Sequence, residues 1–165
     1  MKKMMAMMLA VLLLVPALAF AQGNVLMLEL PQDAQMVEDV AFDDGDFIQT
    51  YQLPGGAQVQ LLRYAAFDMT LGELFASEWV GATDVRELDL TEIGGYPAQG
   101  LRFAYQEDGQ QALDVALVVV DAGETLVLSA VFPAGSMDAQ LDALLDSMTV
   151  MTEGDAPAES NADVG

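Results

Sequence analysis

Two stretches in the second half of the chain, "LDVALVVVD" (113–121) and "TLVLSAVF" (125–132), constrain its fold more than anything else in it. Each is strand length, rich in β-branched residues, and apolar at successive rather than alternate positions. A strand that is apolar on both faces must be covered on both faces, so this pair predicts the centre of a sheet. The links among these later strands are too short for crossovers, which makes the sheet antiparallel.

Two segments carry helical spacing instead. In "MTLGELFASEWVGA", Thr70 is an N-cap with Glu73 three residues on, a capping box, and Met69 is placed to pack on Leu74 as a hydrophobic staple. Leu71, Leu74, Phe75 and Trp79 form the apolar stripe, and Gly81 is placed to end the helix. Ser136 is the expected cap of "MDAQLDALLDSM", whose stripe is Leu141, Leu144, Leu145 and Met148. Earlier, "DFIQTYQL" and "QVQLLRYAAF" flank "PGGA" as a hairpin, and the half-polar "VRELDLTEI" suits a solvated or edge position. The order reads strands, helix, four strands, helix. The expected fold is α+β, an antiparallel sheet of about six to seven strands packed with two main helices.

The glycines of "TEIGGYPAQGLRFAYQEDG" (91–109) invite a phosphate-binding reading, and their surroundings reject it. A dinucleotide fingerprint needs Gly-x-Gly-x-x-Gly opening a helix. Here Gly94, Gly95 and Gly100 are wrongly spaced, and Leu101, Phe103 and Tyr105 alternate with polar or small residues as a strand does. "GGYP" is therefore a turn closed by Pro97. For the next hairpin, a two-residue Asp108–Gly109 loop would set Phe103 against Asp114. A three-residue loop, Glu107 to Gly109 with Gly109 left-handed, sets Phe103 against Leu113, Leu101 against Val115 and Arg102 against Asp114. The second register is the expected one.

Residues 1–21 read as a signal peptide: Lys2 and Lys3, an apolar run from Met4 to Val15, Pro16, then small residues that favour cleavage between Ala21 and Gln22. The run is short for a spanning helix. This address predicts a periplasmic or secreted protein with no membrane insertion once the leader is removed. The chain has no cysteine, so its folded part, expected over 24–151 as one domain, relies on packing rather than disulfides. Residues 152–165, "TEGDAPAESNADVG", are acidic and poor in large apolar side chains, the composition of a disordered tail.

All 26 acidic residues follow the expected cleavage point, and loss of Lys2 and Lys3 leaves Arg63, Arg86 and Arg102 as the basic ones. The formal charge of −21 becomes two units more negative, which excludes nucleic acid and anionic membrane surfaces as partners. The charge serves solubility in a salty medium, or else it selects a basic protein partner.

With no histidine and no cysteine, the chain lacks the means for a Ser–His–Asp triad, a thiol nucleophile or the usual zinc and copper ligand sets. No cofactor motif is present, and the chain is read as not an enzyme. "FDDGDF" places Asp43, Asp44 and Asp46 as weak cation candidates, but without the Asp-x-Asp-x-Asp spacing and distal Glu of an EF-hand it reads first as a solvated turn. Asp138, Asp142 and Asp146 recur every four residues on the last helix with no basic partners. Such spacing is mutually repulsive, so this row is a candidate face for a basic partner, or a solvated face at high ionic strength.

A capped helix, a half-polar strand, "IGGYPAQGLRFAY", a hydrophilic turn, two apolar strands and a last amphipathic helix together resemble the PsbP-like fold. That fold is shared by an extrinsic subunit of photosystem II, a Ran-binding nuclear import factor and many exported bacterial proteins of unknown role. The likeness covers most of Val25 to Val150 and is clearest from Thr70 onward. It implies a non-catalytic binding or accessory module acting through protein–protein contacts, and it transfers no site residue to this chain. The alternative is a soluble periplasmic carrier of a small apolar ligand or a weakly bound cation.

Overall fold

The computed structural model describes residues 23–65, 68–106 and 108–151. The expected leader (1–21), the expected tail (152–165) and Glu107 lie outside the described residues. The elements in chain order are β1 (Val25–Met27), β2 (Gln35–Ala41), β3 (Phe47–Gln52), β4 (Gln58–Tyr64), α1 (Leu71–Glu78), β5 (Thr83–Glu87), β6 (Glu92–Ile93), β7 (Tyr96–Tyr105), β8 (Leu113–Asp121), β9 (Thr125–Pro133), α2 (Met137–Ser147) and β10 (Thr149–Met151).

The two doubly apolar stretches are β8 and β9, and they lie in the middle of the sheet as their composition requires. Strand order is β2-β3-β4-β9-β8-β7-β5, every pairing antiparallel, with β6 paired to β7. On one face Ala116, Val118 and Val120 of β8 and Leu126, Leu128 and Phe132 of β9 are buried beneath α2, which contributes Met137, Leu141 and Leu144, with its C-cap Met148 beside them. On the other, Val115, Leu117 and Val127 pack with Phe103 and with Leu74 of α1. Each fully buried Val, Leu or Phe contributes about 1.5–3 kcal/mol relative to exposure, so covering both faces stabilises the centre far more than the edges.

Among the described residues the fold is thus α+β with two helices, as expected, but with ten strands rather than six to seven. The additions have physical reasons for lacking a pattern. β1 and β10 pair over three residues each, and β6 has only two. β2 is exposed along its whole length, so burial imposes no alternation on it. With β6 present, five strands rather than four lie between the helices.

The local expectations divide. Both halves of the capping box form at α1: the Glu73 N–H donates to the Thr70 hydroxyl, and the Thr70 N–H to the Glu73 carboxylate. Met69 and Leu74 share one apolar cluster. The helix stops at Glu78 with Trp79 as its C-cap, short of Gly81, because Trp79 turns edge-on to Phe103 and Tyr105 at 5.4 and 5.0 Å. Ser136 occupies the expected N-cap position of α2, but its side chain makes no capping bond; its hydroxyl donates to the Pro133 carbonyl at 2.7 Å. Strands β3 and β4 form the expected hairpin around 53–57. Gly94 and Gly95 join β6 to β7 as a two-residue turn with φ of +58° and +84°, the sign that tight hairpins demand. Pro97 lies within β7, opposite Glu92, and does not close that turn.

The β7–β8 register differs from the expected one by two residues. Phe103 lies opposite Val115, Leu101 opposite Leu117, and Arg102 opposite Ala116 rather than Asp114. A two-residue slip leaves every side chain on the same face, so apolar matching has no power to separate the registers. Polar contacts from elsewhere in the fold favour the longer loop: Arg102 reaches Asp138 of α2 at 2.8 Å, and Asp114 accepts the Gly135 N–H at 2.8 Å. Gly109 takes the expected left-handed conformation, φ +74°, within that loop.

Candidate functional site

Four places on the described surface bear on function. The first is the turn between β2 and β3. The Asp46 N–H donates to Asp44 Oδ1 at 3.1 Å, the Ala65 N–H to Asp46 Oδ1 at 2.6 Å, and the Gly45 N–H to the Phe42 carbonyl at 3.1 Å. Asp44 and Asp46 are thus engaged in holding the turn, while Asp43 is exposed. Among the described residues no three acidic side chains gather in a group able to hold a metal ion.

The second is the acidic row of α2. Asp138, Asp142 and Asp146 are all exposed. Asp138 does have a basic partner, contrary to the helix-only view: the Arg102 guanidinium of β7 sits 2.8 Å from its Oδ1. That contact crosses 36 positions in sequence, so no spacing rule on the helix could reveal it. Arg102 is also the direct cross-strand neighbour of Arg86 on β5. The small cleft around them, about 210 Å³, adds Asp84 and Asp114 to its lining, so the locality carries no surplus of positive charge.

The third is an open cleft of about 520 Å³ where the N-terminus of α1 meets the sheet. Asp68, Thr70 and Asp121 share its lining with Met69, Leu71 and Val119. A neighbouring cleft of about 370 Å³ continues along β7 past Gln99 to Leu88 and Leu90.

The fourth, which pattern reading does not find, is the edge formed by β2. One side of this strand pairs with β3, and no strand among the described residues pairs with the other. The Phe42 N–H donates to the Asp46 carbonyl, so Phe42 faces β3; by antiparallel alternation Val40 does too, while Asp39 and Ala41 turn their N–H and C=O to the open side. Met36, Val37, Val40 and Phe42 are exposed at 39, 57, 38 and 50 %. An irregularity between Met36 and Glu38 breaks the alternation that would betray a strand, which explains why "QMVEDVA" carries so little signal.

Asp39 on this edge is held from within. The buried Tyr51 hydroxyl donates to Gln49 Oε1 at 3.4 Å, and Gln49 Nε2 donates to Asp39 Oδ1 at 3.2 Å. Burial, and then the Asp39 carboxylate, push the Tyr51 phenol above its ordinary pKa, so it stays protonated and able to donate.

No protein-family model matches the chain, and no curated protein matches it in sequence. Among the described residues no helix is long and apolar enough to cross a membrane.

Proposed function

We propose that this chain is an exported, non-catalytic binding or accessory module, of PsbP-like type, that acts through protein–protein contacts in the periplasm or outside the cell. The observation that carries the reading is the β2 edge: a strand with an open side, four exposed large apolar side chains in and beside it, and an acid that accepts a hydrogen bond from the buried Gln49. Main-chain groups on such an edge are a ready template for another chain.

The carrier reading has the cleft at α1 in its favour, but Asp68, Asp121 and Thr70 in its lining suit an apolar ligand poorly. Affinity capture from a periplasmic extract, with the exported protein immobilised, separates the two readings. A protein retained in stoichiometric amount and competed off by free module is the expected result. Capture of no protein, together with a small molecule co-purifying in native mass spectrometry, would replace the module reading with the carrier.

A further inference from the structure

We infer that β2 is completed by strand addition, and that the added strand is an extended, basic segment of a partner protein whose cationic side chains alternate with apolar ones. This rests on the binding-module reading and names the partner chemistry for it.

The two edges of the sheet differ in a way that selects β2. At the far edge, β5 is interrupted between Thr83 and Arg86, and Asp84 takes φ +53°, a conformation that breaks the run of outward groups. β2 has its irregularity early, and from Glu38 to Ala41 it keeps unbroken register with β3. That half strand presents the outward backbone of Asp39 and Ala41 beside exposed Val40 and Phe42. Such an edge offers main-chain hydrogen bonds for affinity and alternating side chains for selection.

Charge selects the occupant. Glu38 and Asp39 lie mid-strand, and Asp43 and Asp44 follow at the turn, within a chain of 26 acids and few bases. A second copy pairing antiparallel with β2 about Glu38 or Asp39 sets these carboxylates against their own equivalents, and like charges directly opposite destabilise a pair. The chain's own 152–165 segment is acidic as well. A segment with Lys or Arg at alternate positions sets its cations on the face of Asp39 and lays its apolar positions beside Val40 on the other face.

The test uses the exported protein and a blocked heptapeptide, Lys-Val-Lys-Val-Lys-Val-Lys, with amide NMR and hydrogen exchange as readouts. The expected result is saturable binding, shifts confined to β2 and β3, and new protection at the Asp39 and Ala41 amides. The same peptide N-methylated at alternate residues keeps its charge but loses backbone donors, and should bind about tenfold or more weakly. Ala41→Pro should weaken binding similarly while leaving Tm near that of the wild type, because proline is tolerated where an edge N–H faces solvent. The matching Glu/Val peptide should not bind. Equal binding of the N-methylated peptide, shifts centred on the α2 acidic row, or a concentration-dependent dimer abolished by Ala41→Pro would each overturn the inference. Capture of one natural partner equally by the wild type and Ala41→Pro would remove the edge and leave the module reading standing. Failure to capture any protein counts against the module reading, while the peptide titration decides the edge by itself.

Discussion

Arg63, only 2 % exposed, holds Glu124 through two charge-assisted hydrogen bonds, Nε to Oε2 at 3.0 Å and Nη2 to Oε1 at 2.7 Å. Glu124 also accepts the Asn24 N–H at 3.1 Å, so the pair fastens the start of the described chain to the β8–β9 turn. Removing Glu124 takes from this buried guanidinium the carboxylate that both bonds reach. Glu124→Ala should therefore cost about 3 kcal/mol or more, whereas Arg63→Met with Glu124→Leu, which removes both charges, should cost much less. Urea unfolding followed by the fluorescence of Trp79 measures both; equal losses would mean the ion pair is screened by water.

The α1 capping box predicts a stability loss of about 1 kcal/mol for Thr70→Ala, because the Glu73 N–H then lacks its acceptor. Glu73 adds a pH signature. Hydrogen bonds from the Thr70 backbone and then its hydroxyl hold the Glu73 carboxyl below the ordinary glutamate range. A folded pKa lower than the unfolded one contributes stability above the unfolded value, and that stability is lost as pH falls through the folded one. The gap in stability between the wild type and Glu73→Gln should close as pH is lowered from about 6 to about 3. A gap that stays constant over that window would show that the carboxylate contributes nothing as a charge.

Gly94 and Gly95 have the same backbone sign but different surroundings, which separates conformational from steric cost. A Cβ on Gly94 would come within 2.8 Å of the Val150 backbone N in β10, while one on Gly95 meets nothing within 4 Å. Gly94→Ala should exceed the roughly 1–2 kcal/mol of a left-handed alanine, because the β1–β10 ribbon must also shift. Gly95→Asn should be nearly neutral, asparagine being tolerated there. Thermal melts of the two variants check the order; similar values would mean β10 yields freely.

The features legible in the sequence were those whose cause is local or is burial on two faces. β8 and β9 are apolar throughout because both faces are covered, and Thr70 with Glu73 is a contact within one turn. The β7–β8 register was not legible, since a slip by two preserves the pleat and only Arg102–Asp138 and Asp114–Gly135, both distant in sequence, distinguish the alternatives. β2 stayed hidden for a related reason: without a buried face, nothing selects alternation, and the irregularity after Met36 erases what remains. The candidate site is therefore the least patterned strand of the sheet.

The acidic row of α2 now divides into a paired member and two with no basic partner among the described residues. Asp138 is matched by Arg102, and it lies in the first turn, where negative charge suits the helix dipole. Asp142 and Asp146 face solvent one turn apart, and α2 has no basic residue in its last turn. Replacing both with Lys leaves a like-charge pair at 142 and 146, but it turns the Asp138–Asp142 repulsion into an attraction in the favourable order and brings a cation to the C-terminal turn. The expected gain is about 1 kcal/mol at low ionic strength, shrinking toward zero near 1 M salt as screening removes the Coulomb part. Asp138→Lys should do the reverse, setting two cations together at Arg102 and placing positive charge at the helix N-terminus. Thermal melts at low and high salt check both variants. If the row rather than β2 receives a basic partner, the double Lys variant would lose the partner that Ala41→Pro retains.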